Sequence, residues 1–449
     1  MDSTRVEPAA LRERSPDQIA RRLGEVFGQE RVLLAIGERF RIADENARVV
    51  ALPYSIEELA EMLRFAAQER LGVIPAGAGT WLEMGNKPPR AHLIVSTAQM
   101  TRVIEYEPAD LTATVEAGCT LVEFNALAAV HRQTIPLDPF GDENATLGAI
   151  VATGSYGPLR CGYGTPRDWV IGMRVAHADG KITKAGGKVV KNVAGYDLCK
   201  LYTGSFGTLG VIGELSFKLR ALPPSEQTLI FYAKTASELC ALAARITDSD
   251  SQPAALELFS PRSGEPGASG QAEHFALALR FINETETMQA QADEAVRIGA
   301  DFKRVTLSAE EAAEFWRVYR ANETASHWGL ILRLSVLPTD LAPMLADIDH
   351  LLPFASPRIH AANGVIRLHA EAQAFDDFKK RERPKRVAEL RQRTQARGGQ
   401  LVILRAPEEI KSQLDVWGDV GPTAHLMRSL KEKFDPQAQL NPGRFVIGI

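Results

Sequence analysis

The sequence predicts an α+β protein in two parts: a first half that begins as a small βαβ-like unit, and a second half built on an antiparallel sheet backed by helices. Three observations predict it. A capped amphipathic helix lies between two short apolar strands, Val49–Leu52 and Val73-Ile74. Alternation with period two then takes over at Ile104–Tyr106 and Leu111–Glu116. Beyond Pro223-Pro224, strand-like runs alternate with helical runs to about residue 430.

Composition bounds the class. A chain of 449 residues allows roughly three domains, or two large ones. Hydrophobic content of 45% and charge of 24% are ordinary for a soluble enzyme, and a net charge of −4 offers no basic face for nucleic acid. The N-terminus is polar and charged, unlike a cleaved signal peptide. No apolar run approaches the roughly 18 residues of a spanning helix, so no direct membrane span is expected. The expected location is cytoplasmic, with any contact at the inner membrane made through partners. Cys119, Cys161, Cys199 and Cys240 form no C-x-x-C pair, which excludes a self-contained cysteine-ligated iron–sulfur cluster and argues against a disulfide scaffold.

In order, residues 1–45 read as a helical N-terminal extension, with Gly37 as a C-cap. Ser55-Ile56-Glu57-Glu58 is a capping box, and Ile56, Leu59, Leu63 and Ala67 share one helical face until Gly72 ends the helix. Pro75–Asn86 then reads as a phosphate-cradling loop. Gly77 and Gly79, with a small residue between and Thr80 after, let successive N–H groups converge on an anion. It is not the dinucleotide fingerprint, because Leu82 stands where the third glycine belongs, and no Gly-Lys-Ser/Thr makes it a Walker loop. A plain surface turn has the same composition.

His92–Ser96 is a third strand, and Leu121, Phe124, Leu127 and Ala128 mark a short amphipathic helix. Thr146–Asp168 carries five glycines among apolar residues, a pattern of backbone pressed against a flat ligand or, equally, of tight packing between elements. Val170–Ala178 is a strand, and Asp179-Gly180 turns it into Lys181-Ile182-Thr183. Gly204–Gly210 is a second close-approach loop feeding a strand from Val211 to Leu219.

Several motifs occur in a specific order: Gly77-Ala78-Gly79-Thr80, Thr146-Leu147-Gly148, Tyr163-Gly164-Thr165-Pro166-Arg167-Asp168, Lys191-Asn192-Val193-Ala194-Gly195-Tyr196-Asp197-Leu198 and Gly204–Ile212. Asp415-Val416-Trp417-Gly418, Phe434-Asp435-Pro436 and Leu440-Asn441-Pro442-Gly443-Arg444 follow near the end. The chain, from about residue 48 onward, resembles the vanillyl-alcohol oxidase / p-cresol methylhydroxylase (PCMH-type) superfamily, and within it the FAD-binding subunits of bacterial glycolate oxidases. The resemblance implies a PCMH-type two-subdomain FAD-binding domain at 46–224. It also implies an α+β cap or substrate domain with an antiparallel sheet at 225–430, and a C-terminal segment at 431–449 returning to the FAD domain.

The same resemblance implies site residues. Gly77, Ala78, Gly79 and Thr80 would hold the FAD pyrophosphate, with Asn86 supporting the loop. Thr146, Leu147, Gly148, Ala149, Thr153 and Gly157 would run along the ribityl chain and isoalloxazine, and Tyr163, Gly164, Val211 and Ile212 would border flavin or adenine. Residues 75–86 hold no histidine, so noncovalent FAD is expected. The activity implied is FAD-dependent oxidation of a 2-hydroxy acid such as glycolate or D-lactate. The implied setting is a complex with a sister FAD subunit and an iron–sulfur subunit. A stand-alone flavin oxidase for another hydroxylated substrate and a non-catalytic FAD-binding relay are the alternatives. The H-G-D-G-N-x-H-type segment of related dehydrogenases is absent, and no metal site is expected.

Chemistry narrows the catalytic residues. Oxidising a 2-hydroxy acid requires a cation for the carboxylate, a base for the hydroxyl proton and a hydride acceptor at close range. In Leu332–Val336, Arg333 and Ser335 share one strand face; in Val365–His369, Arg367 and His369 do likewise. Arg333 and Arg367 are the expected carboxylate clamp and His369 the expected base. The alternative is that this face is simply the solvated side of the sheet.

Overall fold

A computed structural model describes residues 15–34, 40–42, 45–46, 49–187, 196–260, 275–321, 327–377 and 382–449. The Gly37 cap and Lys191 to Gly195 of the motif at 191–198 lie outside them, as do residues 262–271, which read in the sequence as a surface loop.

The first subdomain carries α1 (Pro16–Phe27), β1 (Val32–Leu34), β2 (Val49–Ala51), α2 (Ile56–Gln68), β3 (Val73–Ala76) and β4 (Leu93–Ser96). Its sheet order is β1-β2-β4-β3, parallel within β2-β4-β3 and antiparallel at β1. The N-terminal segment is therefore more than a helical extension: β1 is an edge strand, and Ile19 and Leu23 of α1 are buried in the same core as Val49 and Leu59. Ser55 caps α2 by accepting the Glu58 N–H at 3.1 Å. The Glu58 carboxylate turns instead to the Tyr54 N–H and the Arg31 guanidinium, at 2.6 and 2.7 Å. Arg70, at φ 55°, makes the left-handed turn that the sequence assigns to Gly72.

The second subdomain carries β5 (Val103–Glu107), β6 (Thr112–Glu116), α3 (Leu121–Ala129), α4 (Leu147–Thr153), β7 (Val170–Ala176), β8 (Ile182–Gly186) and β9 (Val211–Lys218). The five strands form one antiparallel sheet, ordered β8-β7-β9-β6-β5. The glycine-rich stretch after Thr146 is not open loop. Thr146 caps α4, Gly154 ends it at φ 64°, and Leu147, Ile150 and Val151 are buried in the subdomain core. A seven-residue helix is too short to show a 3.6-residue period, which is why its sequence hid it.

The cap comprises β10 (Ser225–Ala233), α5 (Ala236–Thr247), β11 (Ala255–Phe259), β12 (Phe275–Asn283), α6 (Thr285–Ile298), β13 (Lys303–Leu307), α7 (Ala309–Ala321), β14 (Trp328–Ser335), α8 (Leu341–Leu351), β15 (Ser356–His360), β16 (Val365–Glu371), α9 (Arg383–Ala396) and β17 (Gln400–Arg405). All eight strands pair antiparallel, in the order β13-β10-β12-β11-β15-β16-β14-β17. One face is aliphatic: Leu256, Leu279, Leu332, Leu334, Ile366 and Leu368 pack with buried residues of α5, α6, α8 and α9. Each such fully buried side chain contributes about 1.5–3 kcal/mol. The opposite face carries the arginines and histidines.

The chain then returns to the FAD domain through α10 (Ala424–Phe434). Leu430 and Phe434 pack on the second-subdomain core, and the Lys431 ammonium donates to Thr208 O, Leu440 O and Asp435 Oδ2 at 2.9, 2.8 and 2.7 Å. The expected boundary at 431 falls inside this helix, and contact with the first subdomain begins earlier still, where Lys411 Nζ donates to Glu83 O at 2.8 Å.

Candidate active site

A cleft enclosing about 650 Å³ opens where the two subdomains meet the returning C-terminal segment. Its walls include Gly77, Gly79, Thr80, Gly148, Ala149, Thr153, Val211 and Ile212, so residues distant in sequence converge on one site. The fit at Gly77 is tight: a Cβ there would sit 2.1 Å from Thr146 Oγ1. Gly79 has φ +95°, which a side chain rarely adopts. Thr146, buried as the N-cap of α4, therefore supports the loop from behind. Ala78 and Leu147 are buried beside the cleft and are not among its lining residues.

Gly157, Tyr163 and Gly164 lie elsewhere. A Cβ on Gly157 would sit 1.8 Å from Asp138 O, so this glycine permits backbone packing. Gly164 makes a left-handed turn at φ 78° beside Asp168. Tyr163 lines a second, wider cleft of about 1470 Å³ at the cap boundary, with its ring under Arg220 at 4.9 Å.

The cleft is completed by residues that the glycine pattern does not announce: Trp81, Thr97, Phe206, Asn441 and Arg444. Phe206 and Asn441 both adopt left-handed conformations, at φ 55° and 46°, and the Asn441 amide donates to Phe206 O. Such backbone strain persists only where its surroundings enforce it. Here the Phe206 ring stacks on Phe445 at 5.1 Å and meets Trp417 edge-on at 4.8 Å. Asn86 holds the glycine loop in place by donating to Asp415 Oδ2 and accepting the Val416 N–H.

Arg444 decides what the cleft suits. Its Nη groups donate to Asn441 Oδ1, Leu82 O and Met84 O, all neutral, and its buried Nε has no partner among the described residues. Burial pushes its pKa down to about 10. A buried cation with no carboxylate beside it is a demand for an anion. Glycine backbone, an uncompensated guanidinium and apolar walls together fit a dinucleotide with a flat ring system, as FAD is.

On the cap, Arg333 stands directly opposite Arg367 across β14 and β16, and Arg367 stands opposite Arg358 of β15. Three guanidinium-bearing positions thus form one row, in which Arg358 is covered by α7, donating to Tyr319 O. The Tyr156 phenol, just past α4, lies close enough to Arg333 to act on its charge. Burial lowers the Arg333 pKa, Tyr156 opposes that shift, and Arg367 adds to it. Arg367 lies over the Phe140 ring at 4.6 Å. His369 shares this face, 1% exposed, opposite Ile331 and 5.0 Å from the Trp328 ring. The face is an inter-domain wall; the solvated alternative does not hold for these residues.

An FAD binding domain model matches residues 47–186, and a model of the C-terminal domain of FAD linked oxidases matches residues 419–445. The chain is 35% identical over 183 residues to glycolate oxidase subunit GlcD of Bacillus subtilis strain 168, covering 40% of this chain and 38% of that one. It is 41% identical over 129 residues to glycolate oxidase subunit GlcE of Escherichia coli K12, covering 28% and 37%. These matches span well under half the length of either relative. Among solved structures, p-cresol methylhydroxylase with substrate bound superposes with a TM-score of 0.72 at 15% identity, over 95% of this chain and 96% of that one. The cofactor is FAD. The chain carries an FAD binding domain and the fold seen in p-cresol methylhydroxylase, and it is similar over part of its length to subunits of glycolate oxidase.

Proposed function

We propose that this protein is the FAD-binding subunit of a complex that oxidises glycolate or another small 2-hydroxy acid. The observation that carries the reading is the Arg333–Arg367 pair, two like charges held opposite each other against Tyr156 and Phe140 of the FAD domain. Like charges brought together away from water favour an anion between them, and a planar carboxylate suits two guanidinium forks. FAD, when bound, supplies the hydride acceptor. The chain's own residues do the rest: the arginines orient the carboxylate, and a histidine of the same face takes the hydroxyl proton, the sequence nominating His369.

The glycine loop and Arg444 hold the pyrophosphate noncovalently; no histidine, cysteine or tyrosine is among the described lining residues of the cleft. Electrons pass onward to a sister flavin subunit or an iron–sulfur subunit, in keeping with the subunit relatives and the scattered cysteines. The test is the purified chain, loaded with FAD and mixed with glycolate without oxygen. Bleaching of the flavin absorbance by the chain alone is expected. Bleaching only after a sister subunit is added would make this chain a relay, and no binding of FAD would remove the reading.

A further inference from the structure

The cap face holds a second histidine, His360 on β15, two residues after Arg358 and therefore on the same side of the strand. Its register partner on β11 is Glu257. His360 Nδ1 lies 2.5 Å from Glu257 Oε1, and the Tyr319 hydroxyl donates to Glu257 Oε2 at 2.9 Å. His360 and Glu257 are 3% and 1% exposed. His360 Nε2 is buried and has no hydrogen-bond partner among the described residues. A buried polar nitrogen left without a partner is destabilising, and native folds seldom keep one without a use.

The surroundings say what that use is. A carboxylate on Nδ1 holds the ring with its proton there and leaves the Nε2 lone pair open to accept another; the same division of labour fixes the imidazole tautomer in hydrolytic triads. The ring is flanked by Phe140 at 5.5 Å and Tyr156 at 5.8 Å. Tyr156 acts on the Arg333 charge, and Phe140 lies under Arg367. The open nitrogen therefore belongs to the same side-chain cluster as the proposed carboxylate clamp. Tyr156 lies three residues beyond Thr153, a wall of the FAD cleft. The charged groups facing His360 from adjoining strands are Glu257 and the arginine row, and Tyr319 closes the far side.

We propose that His360 Nε2, positioned by Glu257 and Tyr319, is the acceptor of the C2 hydroxyl proton of the bound 2-hydroxy acid, in place of His369. The inference rests on the function proposed above. In the step, the O–H bond breaks and its proton goes to Nε2. The C2–H bond breaks and its hydrogen leaves with both electrons for FAD, and the new C2=O bond makes a 2-oxo acid. His360 is the catalytic residue, while Glu257 and Tyr319 are positioning residues.

FAD-loaded His360→Ala, Glu257→Gln and His369→Asn variants test it. With glycolate under anaerobic conditions, His360→Ala is expected to reduce its flavin roughly 10²–10⁴-fold more slowly, with FAD content and oxalate affinity retained and the rate partly restored by added imidazole. Glu257→Gln is expected to lower kcat with little change in KM. His369→Asn is expected to slow reduction far less than His360→Ala does, since the inference gives the base role to one histidine. Independently of turnover, proton NMR of the oxidised holoprotein is expected to show a downfield Nδ1–H resonance, lost in His360→Ala and moved by oxalate. If the parent bleaches and His360→Ala bleaches as fast, the assignment of His360 is overturned while the function stands. If the parent neither bleaches with any 2-hydroxy acid nor responds to oxalate, both fall.

Discussion

Arg444 and Asp138 show how single groups carry the two sides of this protein's electrostatics. Arg444 is a buried cation in the wall of the cleft, and charge-assisted hydrogen bonds are worth about 1.5–3 kcal/mol each. Arg444→Met is therefore expected to weaken FAD binding by roughly 10- to 100-fold in a fluorescence titration, the conversion of that range at 1.4 kcal/mol per decade. Arg444→Lys should fall between, because lysine keeps the charge and loses the fork. Asp138 is the opposite case. It accepts the Leu159 N–H with both oxygens, yet burial raises its pKa to about 6. A carboxyl that holds its proton more tightly when folded favours the folded state at low pH, and that contribution is lost as pH rises from about 4 to 6. The raised value corresponds to about 3 kcal/mol. Asp138→Asn should flatten the pH dependence of the apoprotein's melting temperature across that window and raise it at pH 7. Neither role was legible in the sequence. Arg444 reads there as the end of a motif, and Asp138 as one carboxylate among many, because burial is a property of the fold.

Elements differ in how far their sequences betrayed them. Strands of the cap, such as Ala255–Phe259, were legible to the residue, since a short apolar run broken only by Glu257 and flanked by Pro253 and Pro261 has few other uses. The helix capped by Ser55 was equally plain, whereas the cap that Thr120 supplies to α3 went unread. Missed elements were β13, whose exposed Lys303 and Arg304 disguise an edge strand, and β15, whose Arg358 and His360 are buried by partners and not by their own character. Among the elements, α10 is the one whose failure is easiest to read. Lys431 is buried with Asp435, and removing one partner of such a pair costs about 3–5 kcal/mol. Lys431→Met should lower stability by that amount in denaturant unfolding and release FAD at lower denaturant than the parent. The paired change Lys431→Met with Asp435→Leu should recover part of the loss.

At the scale of the whole molecule, the glycines of distant segments that meet in one cleft were legible, and the arginine face of the cap only half so. Glycines betray a cofactor because backbone must approach it: Gly77 could be foreseen, and Gly77→Val is expected to purify colourless, since a side chain there collides with Thr146. Arg333 and Arg367 were legible as alternating polar residues in apolar strands. That they meet across two strands, with a Glu–His pair beside them, follows from register that no local pattern encodes.

Residues 439 to 444 lie against β3, where Val73 N donates to Gln439 O and Asn441 N to Val73 O, and they form the last wall of the cleft. Everything from 225 to 438 is threaded between the first walls and that last one. The cleft is therefore complete only once the chain through residue 444 has folded back onto β3. A lesion anywhere in the cap that delays its folding should yield colourless protein, although every residue touching the coenzyme is intact.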